Sequence, residues 1–471
     1  MGKTMRRRIL YLRSVTLCGL FFSTLVQAQI DPDVTEKTKI LYNNLKVIQN
    51  SNYFLFGQEF FNSFKYSSGS AHGDKEYADA YAVTGAYPVV LGSDFHYYID
   101  KSATERGYHT EAVRWAYQKG LIVTFDWHIS ARNTTSYSCN GAPVNLAKNI
   151  ANQNNTTGDL TWFYNELDKV IDIINNDLVF DGEKIPIIFR PFHEMNGNWF
   201  WWGAACSGFT PAEYKKLYQL TADYIKERTT SILFCWSPNS PVNSTIINNY
   251  YPGDAYVDIL GLDMYEITAD PFRQYMGAIV DYAQSHNKVA VLSESGYRND
   301  TENGDAAARY WNDTVLPAIM NDPSGKSQKI AWALTWINSS WSHPYVPHAA
   351  STAAAKQSFI NFKSSDRVMF SDEVENMYQP IVVLSAAEGI EQDDVKVQVI
   401  PEQHQIIVEF KDFSMPVLVS IHDVSGKRIA EEKTTRQKTT FSIEKLMIKP
   451  GLYIVKVTGG AKTITQKVYV L

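Results

Sequence analysis

Short apolar runs and longer amphipathic stretches alternate along the chain from about residue 40 to residue 365. Short β-branched and aromatic runs are typical of strands, and apolar residues every three or four positions are typical of helices. The pattern predicts strands at residues 53–57, 88–94, 121–128, 185–194, 231–238, 257–265, 288–294 and 330–337. Strands that alternate with helices eight times predict a (β/α)8 TIM barrel, an α/β fold.

The amphipathic stretches between these strands predict helices at residues 110–119, 162–175, 211–227, 271–285 and 305–316. Thr210 stands directly before the third helix, which is the position of an N-cap residue. A barrel of this kind builds its functional site from the C-terminal ends of its strands. Chemically active side chains are therefore expected just after each apolar run.

The pattern changes class beyond residue 365. An acidic, small-residue passage at 385–394 predicts a linker over residues 366–394. Alternating apolar and polar residues then predict strands at 395–400, 405–410, 416–422, 439–443, 451–458 and 463–471, with turns at 424–426 and 450–451. The tail, residues 395–471, is predicted to be a small all-β sandwich.

The N-terminus has the pattern of an export signal. Four arginines, at positions 6, 7, 8 and 13, precede an apolar stretch at 17–26 and the small-residue pattern Val26-Gln27-Ala28. The sequence predicts a signal peptide over residues 1–28 and a barrel domain over 29–365. No later segment approaches the roughly 20 apolar residues of a membrane-spanning helix, so we expect an exported protein that is not transmembrane.

Composition narrows the classes of partner. The net charge of -6 and pI near 6.0, without a basic stripe in the body of the chain, argue against nucleic acid. The aromatic fraction of 13% fits carbohydrate binding. We expect a monomer that needs no cofactor and no metal, because no Cys or His pair has the spacing of zinc ligands.

Three cysteines remain after the predicted signal peptide: Cys139, Cys206 and Cys235. Cys235 lies in an apolar run and is predicted to be a buried thiol. Cys139 and Cys206 follow strands in polar loops, where a disulfide would join neighbouring loops in an oxidising compartment. The alternative is two free thiols.

Glu194 is the first candidate for chemistry, because it follows the apolar run Ile187-Ile188-Phe189. An aromatic run, Trp199-Phe200-Trp201-Trp202, comes directly after it and offers flat apolar faces for the C–H face of a sugar ring. The alternative is that these aromatics are core. The turn formers at 196–198 favour a loop that carries them.

A second carboxylate, Glu294, ends the apolar run that begins at Val289. A glycosidase usually needs two carboxyls, one to protonate the leaving oxygen and one to attack or to activate water. Glu194 ends the fourth predicted strand and Glu294 the seventh, so the two face each other across the barrel mouth. We expect the separation of a retaining pair, roughly 5–5.5 Å.

These motifs resemble glycoside hydrolase family 26, whose members carry the acid/base and the nucleophile on the fourth and seventh strands of a (β/α)8 barrel. Residues 190–203 resemble its acid/base motif and residues 292–296 its nucleophile motif, over a resemblance that covers roughly residues 35–365. Further similar segments are AYPVVLGSD at 86–94, DWH at 126–128, WSPN at 236–239, DMY at 263–265 and LTW at 334–336.

The resemblance implies a role for each matched side chain. Glu194 is the implied acid/base and Glu294 the implied nucleophile of a double displacement. The implied substrate-binding residues are His128, His193, Trp199, Tyr265 and Trp336, of which Tyr265 also hydrogen-bonds the nucleophile. Arg190 is expected to support the charge of the nucleophile.

The implied substrates are β-1,4-mannans, including glucomannan and galactomannan. Mixed-linkage β-1,3-1,4-glucan and β-1,3-xylan are alternatives, and the choice between endo and exo action stays open. A hypothesis of another class is that the chain is a non-catalytic protein that binds glycans at the cell surface. A third reading, a metal-dependent hydrolase, would use His72, His96, His109 or His128, but their spacing does not converge.

The tail resembles the C-terminal sorting domain of the type IX secretion system, through the segments IHDVSGK at 421–427 and PGLYIVKV at 450–457. This resemblance implies the secretion machinery as a partner and a location outside the cell or at its surface. A carbohydrate-binding module is the alternative. Its weakness is that few exposed Trp or Tyr residues are expected on these strands.

Overall fold

A computed structural model describes residues 31–471 apart from 205, 207, 300–303, 375, 381–393, 401–402, 424–427, 449–450, 461 and 471. The predicted signal peptide, residues 375 and 381–393 of the predicted linker, and the predicted turns at 424–426 and Pro450 lie outside the described residues.

Eight parallel strands close into a barrel in sequence order, because the last strand pairs with the first at Leu55 and Trp332. The predicted (β/α)8 fold is therefore confirmed. The strands are β1 (Phe54–Glu59), β2 (Val90–Asp94), β3 (Ile122–Asp126), β4 (Ile187–Arg190), β5 (Ile232–Trp236), β6 (Ile259–Asp263), β7 (Val289–Ser295) and β8 (Trp332–Thr335).

Helices surround the barrel. They are α1 (Glu36–Asn50), α2 (Asp79–Thr84), α3 (His96–Ile99), α4 (Ala103–Gln118), α5 (Leu146–Ala151), α6 (Asp159–Asp172), α7 (Pro211–Lys226), α8 (Ser244–Tyr250), α9 (Ala269–Ser285), α10 (Asp305–Arg309), α11 (Leu316–Met320) and α12 (Ala353–Lys363). One π-helical segment, Ile173–Asp177, continues α6, and another, Tyr310–Val315, joins α10 to α11. Among the described helices, none has the length and hydropathy that a bilayer crossing requires.

Burial on both faces explains why the barrel strands are nearly continuous apolar runs. Every residue of the eight strands is buried, since side chains fill the interior on one face and meet helices on the other. Phe189 of β4, for example, packs against Phe234 of β5 with ring centroids 6.2 Å apart. A polar residue in such a strand is therefore conspicuous, and most of them stand at the C-terminal ends.

The packing of the barrel continues past residue 365, where the linker was predicted to begin. Val368–Met369 pairs in parallel with the start of β1, and Phe370 and Tyr378 are buried. Tyr378 donates a hydrogen bond to the carbonyl oxygen of Leu121 at 2.9 Å. The segments 366–374 and 376–380 thus pack at the bottom of the barrel rather than leave it.

The tail is a sandwich of two antiparallel sheets around its own apolar core, as predicted. One sheet has the order β9-β10-β13 and the other β12-β11-β14-β15. The strands are β9 (Val395–Ile400), β10 (Gln405–Phe410), β11 (Val417–Asp423), β12 (Arg428–Thr434), β13 (Lys438–Ser442), β14 (Gly451–Gly459) and β15 (Lys462–Val470). β12 was not predicted.

The N-terminus of α7 carries the predicted cap. The side chain of Thr210 accepts a hydrogen bond from the backbone N–H of Glu213 at 3.2 Å, and the Glu213 carboxylate accepts the Thr210 N–H at 2.9 Å. This reciprocal capping box satisfies two donors that the first turn of a helix leaves free. Because α7 follows the loop that carries Glu194, the cap also fixes where that loop ends.

Thr210→Ala should lower the free energy of unfolding by about 1 kcal/mol, because the substitution removes the side-chain acceptor of the cap. Chemical denaturation of the full chain measures the change. Thr245→Ala, which removes an exposed threonine inside α8, is the matched control and should alter stability by only a few tenths of a kcal/mol. Equal stability of the two variants would contradict the role of the cap.

Candidate active site

Ionisable side chains end five of the barrel strands. Glu59 ends β1, Asp94 ends β2, Asp126 ends β3 and Asp263 ends β6, while Arg190 ends β4. All five are at most 3% exposed. Because the C-terminal ends of parallel strands meet at one end of a barrel, these charges share a single buried layer beneath its mouth.

The guanidinium of Arg190 joins this layer together. Its Nη1 donates to Asp263 Oδ2 at 3.0 Å, and its Nη2 donates to Glu294 Oε1 and lies 3.5 Å from Asp126 Oδ2. A buried cation is costly unless it is paired, and Arg190 is paired on both of its terminal nitrogens. Arg190 therefore contacts Glu294, the candidate nucleophile, as the sequence predicted.

Glu294 is directed into the mouth by a β-bulge in β7. Leu292 pairs with Leu262 of β6, but Glu294 pairs with the next residue, Asp263, so Ser293 is an extra residue. The register with β8 shifts in the same place. A bulge re-aims the side chains that follow it. The Glu294 carboxylate then accepts a hydrogen bond from the Tyr265 hydroxyl to Oε2 at 2.8 Å, beside the Arg190 contact to Oε1.

Glu194 lies four residues beyond β4, in a turn with two left-handed residues. Phe192 and Glu194 have φ of 51° and 54°, a region that costs non-glycine residues free energy. Backbone hydrogen bonds hold the turn, from Glu194 N–H to the Ser237 oxygen and from Gly197 N–H to the Glu194 oxygen, both at 2.9 Å. Trp199 Nε1 donates to Glu194 Oε2 at 2.7 Å. The backbone hydrogen bonds and the Trp199 indole thus hold the Glu194 carboxyl in place on a strained backbone.

The electrostatics of the layer favour a protonated Glu194. Burial raises the pKa of Glu194 well above its usual value, and the nearby charges of Glu294 and Asp263 raise it further. Burial also raises the pKa of Asp126, and it raises that of Asp263 to about 7 despite the charge of Arg190. Glu294 differs from Glu194 because it accepts hydrogen bonds from the Arg190 cation and from the Tyr265 hydroxyl, whereas Glu194 accepts one from the Trp199 indole. The two glutamates therefore have contrasting environments.

Two histidines stand between the carboxylates and the open cleft. His128 Nδ1 lies 2.9 Å from Asp94 Oδ2, which leaves Nε2 for another partner. His193 is 1% exposed with Nε2 4.0 Å from Glu294 Oε1, and burial with the charge of Arg190 lowers its pKa well below the usual value. The two rings meet at a centroid distance of 4.8 Å. His193 is therefore neutral, a hydrogen-bonding group rather than a charge.

Aromatic rings line the cleft on both sides of the glutamates. Trp199 is 39% exposed beside Glu194, and Trp336 is half-buried with its ring 5.9 Å from that of His128. Trp201 and Trp202 are at most 2% exposed, and their indole N–H groups bond backbone oxygens. The expectation that all four aromatics of 199–202 offer faces to a sugar is wrong for these two. They are core, packed beneath the loop.

A disulfide joins the loops that follow β3 and β4. Cys139 and Cys206 are bonded across a sequence separation of 67 residues. The same loops are also paired by the bridge between Ser138 and Phe200 and by the hydrogen bond from Cys139 N–H to the Trp199 oxygen at 2.7 Å. Cys235 is a buried free thiol. The crosslink therefore fixes the wall that carries Trp199.

Within the described residues, Asp126, His128 and His193 offer three ligand atoms within 4.8 Å of one another. Asp126 already lies against Arg190, and a metal there would compete with that cation. Of the histidines considered for a metal-dependent hydrolase, only His128 belongs to this group. His109 instead stacks on Phe64, and burial lowers its pKa to about 3.

The carboxylates beneath the mouth were missed as functional candidates. Asp126 and Asp263 lie in the segments DWH and DMY that resemble glycoside hydrolase family 26, but no role was predicted for them. Glu59 lies in none of the matched segments. A signal was present, because each is the acidic last residue of an apolar strand, as Glu294 nearly is. The relevant rule is that any charge at the C-terminal end of a buried strand must meet its counterparts in the barrel mouth.

A closed (β/α)8 barrel that holds two glutamates in contrasting environments, between aromatic walls at its C-terminal end, has the architecture of a glycoside hydrolase. Residues 30–341 match the family model described as Glycosyl hydrolase family 26. The chain belongs to this family. Residues 400–471 match the Secretion system C-terminal sorting domain, which confirms the predicted sorting module and a destination at the cell surface or outside.

Related proteins agree with this assignment. A mannan endo-1,4-beta-mannosidase of Bifidobacterium adolescentis is 30% identical over 337 residues, 65% of this chain and 32% of that protein. A Bacillus subtilis protein of the same description is 31% identical over 34% of this chain and 41% of its own length. The matches thus span about a third to two fifths of these relatives. The GH26C structure from Muricauda sp. MAR_2010_75 is 26% identical, with a TM-score of 0.65 over 75% of this chain and 96% of that one.

The double variant Cys139→Ser, Cys206→Ser should lose about 2–4 kcal/mol of unfolding free energy, because the crosslink restricts a long loop in the unfolded chain. Denaturation of the oxidised full chain measures this loss. Cys235→Ser is a poor control because it places a hydroxyl in the core, so the wild type under reducing conditions serves instead and should match the double variant. A double variant as stable as the oxidised wild type would contradict the prediction.

Proposed function

We propose that the chain is a retaining glycosidase that cleaves β-1,4-mannosidic bonds in mannan, glucomannan or galactomannan by double displacement. The observation that carries the proposal is the contrast between the two glutamates. Glu194 has a raised pKa and a single indole partner, whereas Glu294 is paired with a cation and a phenol. A retaining mechanism needs one carboxyl protonated and the other ionised at the same pH.

In the first step Glu294 attacks the anomeric carbon and Glu194 protonates the departing oxygen. Oε2 of Glu194 accepts the Trp199 N–H, so the proton of the neutral carboxyl is carried by Oε1. Arg190 and Tyr265 orient the Glu294 carboxylate and balance its negative charge until it forms the covalent bond. The C–O bond to the leaving sugar breaks as the bond to Glu294 forms.

In the second step Glu194, now ionised, takes a proton from water, which attacks the anomeric carbon and releases Glu294. Formation of the glycosyl ester removes the negative charge of Glu294, one of the causes that raise the pKa of Glu194. The pKa of Glu194 then falls, so the carboxyl is ionised and available to take a proton when a base is required. The proximity of the two carboxyls thus supports both halves of the reaction.

The remaining predicted residues hold the sugar. His193 presents Nε2 beside Glu294, His128 packs against the His193 ring, and Trp336 offers its face as the floor for the ring that is attacked. Trp199 flanks the bond on the side of Glu194, where the leaving sugar departs. Mannan as substrate is supported by the relatives described as mannan endo-1,4-beta-mannosidases.

Two kinds of alternative differ in whether the double displacement takes place. Mixed-linkage glucan or β-1,3-xylan would use the same pair of glutamates in a differently shaped cleft. A non-catalytic glycan-binding protein would have no need of a buried Arg190 that neutralises Glu294. The costly charge layer therefore favours an enzyme.

We assign delivery to the tail rather than sugar binding. The exposed large apolar residues in the described part of the sandwich are Met415 and Met447, neither of them aromatic, and Tyr453 is only 9% exposed. Sugar-binding sandwiches need exposed aromatic faces. The type IX machinery is the proposed partner of this module.

Reducing-sugar release by the full chain from glucomannan, galactomannan, lichenan and β-1,3-xylan tests the substrate. Cleavage of the first two supports the proposal. Cleavage of only lichenan or xylan would move the substrate and keep the mechanism, and inactivity on all four would favour the binding protein. The lengths of the products distinguish endo from exo action.

Glu294→Ala and Glu194→Ala should each lose at least about a hundredfold in kcat on mannan, because each removes one of the two carboxyls that the reaction uses. Reducing-sugar assays measure the loss. Glu166→Ala, which removes an outer-face carboxylate of α6 paired with Lys169, is the control and should leave the rate unchanged. Near-normal turnover of Glu294→Ala would refute the scheme.

The kcat/KM of the wild type on mannan should fall as pH rises through the raised pKa of Glu194, because only the protonated form can donate to the leaving oxygen. The sign is fixed: activity that requires the acid form is present below its pKa and lost above it. A 2,4-dinitrophenyl mannobioside needs no protonation to depart. The kcat/KM of Glu194→Ala on that substrate should therefore not fall at alkaline pH. If it falls as the wild-type kcat/KM on mannan does, a group other than Glu194 causes the loss of activity at high pH.

A further inference from the structure

Trp341, in the loop after β8, is the most exposed tryptophan among the described residues, at 54%. An exposed aromatic of this size is unusual unless it meets a partner. The described mechanism does not use it. It follows Trp336 by five positions, so both rings belong to one loop at the mouth of the barrel.

The loop holds Trp341 in place although the ring is exposed. Asn338 is 3% exposed and its Oδ1 accepts the backbone N–H groups of Tyr345 and Val346 at 2.8 and 3.2 Å, which closes the loop on itself. The Ser340 N–H donates to the Ser68 oxygen at 3.2 Å and ties the loop to the one after β1. The exposed ring is therefore mounted on a fixed backbone.

Neighbouring side chains orient the indole. The ring of Phe64 lies 6.4 Å from it at an interplanar angle of 88°, an edge-to-face contact. Gly69 approaches so closely that a Cβ there would lie 3.4 Å from Trp341 Cδ1 and 3.0 Å from Ser340 Oγ. Phe64 and Gly69 support the indole from the protein side and leave about half of it open to solvent.

The position of Trp341 along the cleft follows from the acid. Glu194 must lie on the side of the leaving sugar, and Trp199 bonds it there. Trp336 lies on the other side, packed against the cluster of Phe60, Phe64 and Ile337. The loop after β8 stands across the barrel from β4, the strand that precedes Glu194. Within that loop Trp336 packs against His128, whereas Trp341 is more exposed and meets the loop after β1 through Phe64, so the indole lies further out than Trp336 and away from the leaving sugar.

We propose that Trp341 is a stacking platform for a sugar on the non-reducing side of the cleaved bond, beyond the ring that Trp336 holds, in a β-1,4-linked hexose chain. The inference rests on the proposed function, and it adds a residue that sets the preference for chain length. A fixed indole binds the C–H face of a pyranose with little loss of side-chain entropy. Only substrates long enough to reach the platform gain from it.

The test measures kcat/KM of the full chain on mannotriose, mannotetraose, mannopentaose and mannohexaose. Trp341→Ala should lower the ratio of the value for mannohexaose to that for mannotriose by roughly tenfold, the equivalent of about 1.4 kcal/mol of lost stacking. Trp341→Phe, which keeps an aromatic face, should recover most of the ratio. The loss should appear chiefly in KM, because the platform contacts a sugar remote from the reacting atoms.

Tyr81→Ala is the matched control, because Tyr81 is 42% exposed on α2 and stacks on Tyr87 just before the N-terminal end of β2, away from the mouth. It should leave the ratio unchanged. If Trp341→Ala also leaves the ratio unchanged while the wild type cleaves mannohexaose, the platform is refuted and the proposed function stands. If the wild type cleaves none of the four, the proposed function and the substrate class of the platform fall together. Thermal unfolding verifies that the variants are folded.

Discussion

The buried guanidinium of Arg190 is the charge on which the site depends. A cation taken out of water needs close anions, and the strand ends supply Asp126, Asp263 and Glu294. The acids in turn outnumber the cation, so burial and mutual repulsion raise the pKa values of several of them. One arginine thus gathers three carboxylates around itself, while Glu194 has an indole rather than the cation as its partner.

Two irregularities of the backbone separate the surroundings of the two glutamates. The bulge at Ser293 turns Glu294 towards Arg190 and Tyr265, and the left-handed turn at Phe192 and Glu194 lifts the other carboxyl away from the cation. Regular strands would have presented both groups to the same layer. The positive φ angles of the turn and the shifted strand pairing at Ser293 both cost free energy, which the many buried contacts of the barrel offset.

The sequence predicted the barrel well because strands buried on both faces are apolar throughout, and each of the eight lies within two residues of its predicted start. Strand ends and family resemblance indicated Glu194, Glu294, Arg190 and Tyr265, which the structure brings into contact with one another or with the same loops, while their catalytic roles stay predictions. The sequence missed β12, whose residues Arg428–Thr434 are largely charged and exposed, because an edge strand needs no apolar face. It placed the start of α4 seven residues late, because the first turn of that helix is polar and has no apolar periodicity. The start of the helix is marked by the N-cap residue Ser102.

Trp201 and Trp202 show a different limit. Adjacent aromatics look alike in sequence, and only the direction of the loop separates Trp199, which faces the cleft, from two rings that support it from below. The bulge in β7 is equally hidden, because Ser293 is compatible with a regular strand. Such features depend on contacts between distant segments, which periodicity does not encode.

The disulfide between Cys139 and Cys206 links the geometry of the cleft to the place where the chain matures. Thiols stay reduced in most bacterial cytoplasms and oxidise after export. The wall that carries Trp199 is therefore completed only once the chain has left the compartment of its synthesis. Formation of the crosslink therefore couples the final rigidity of this wall to export of the chain.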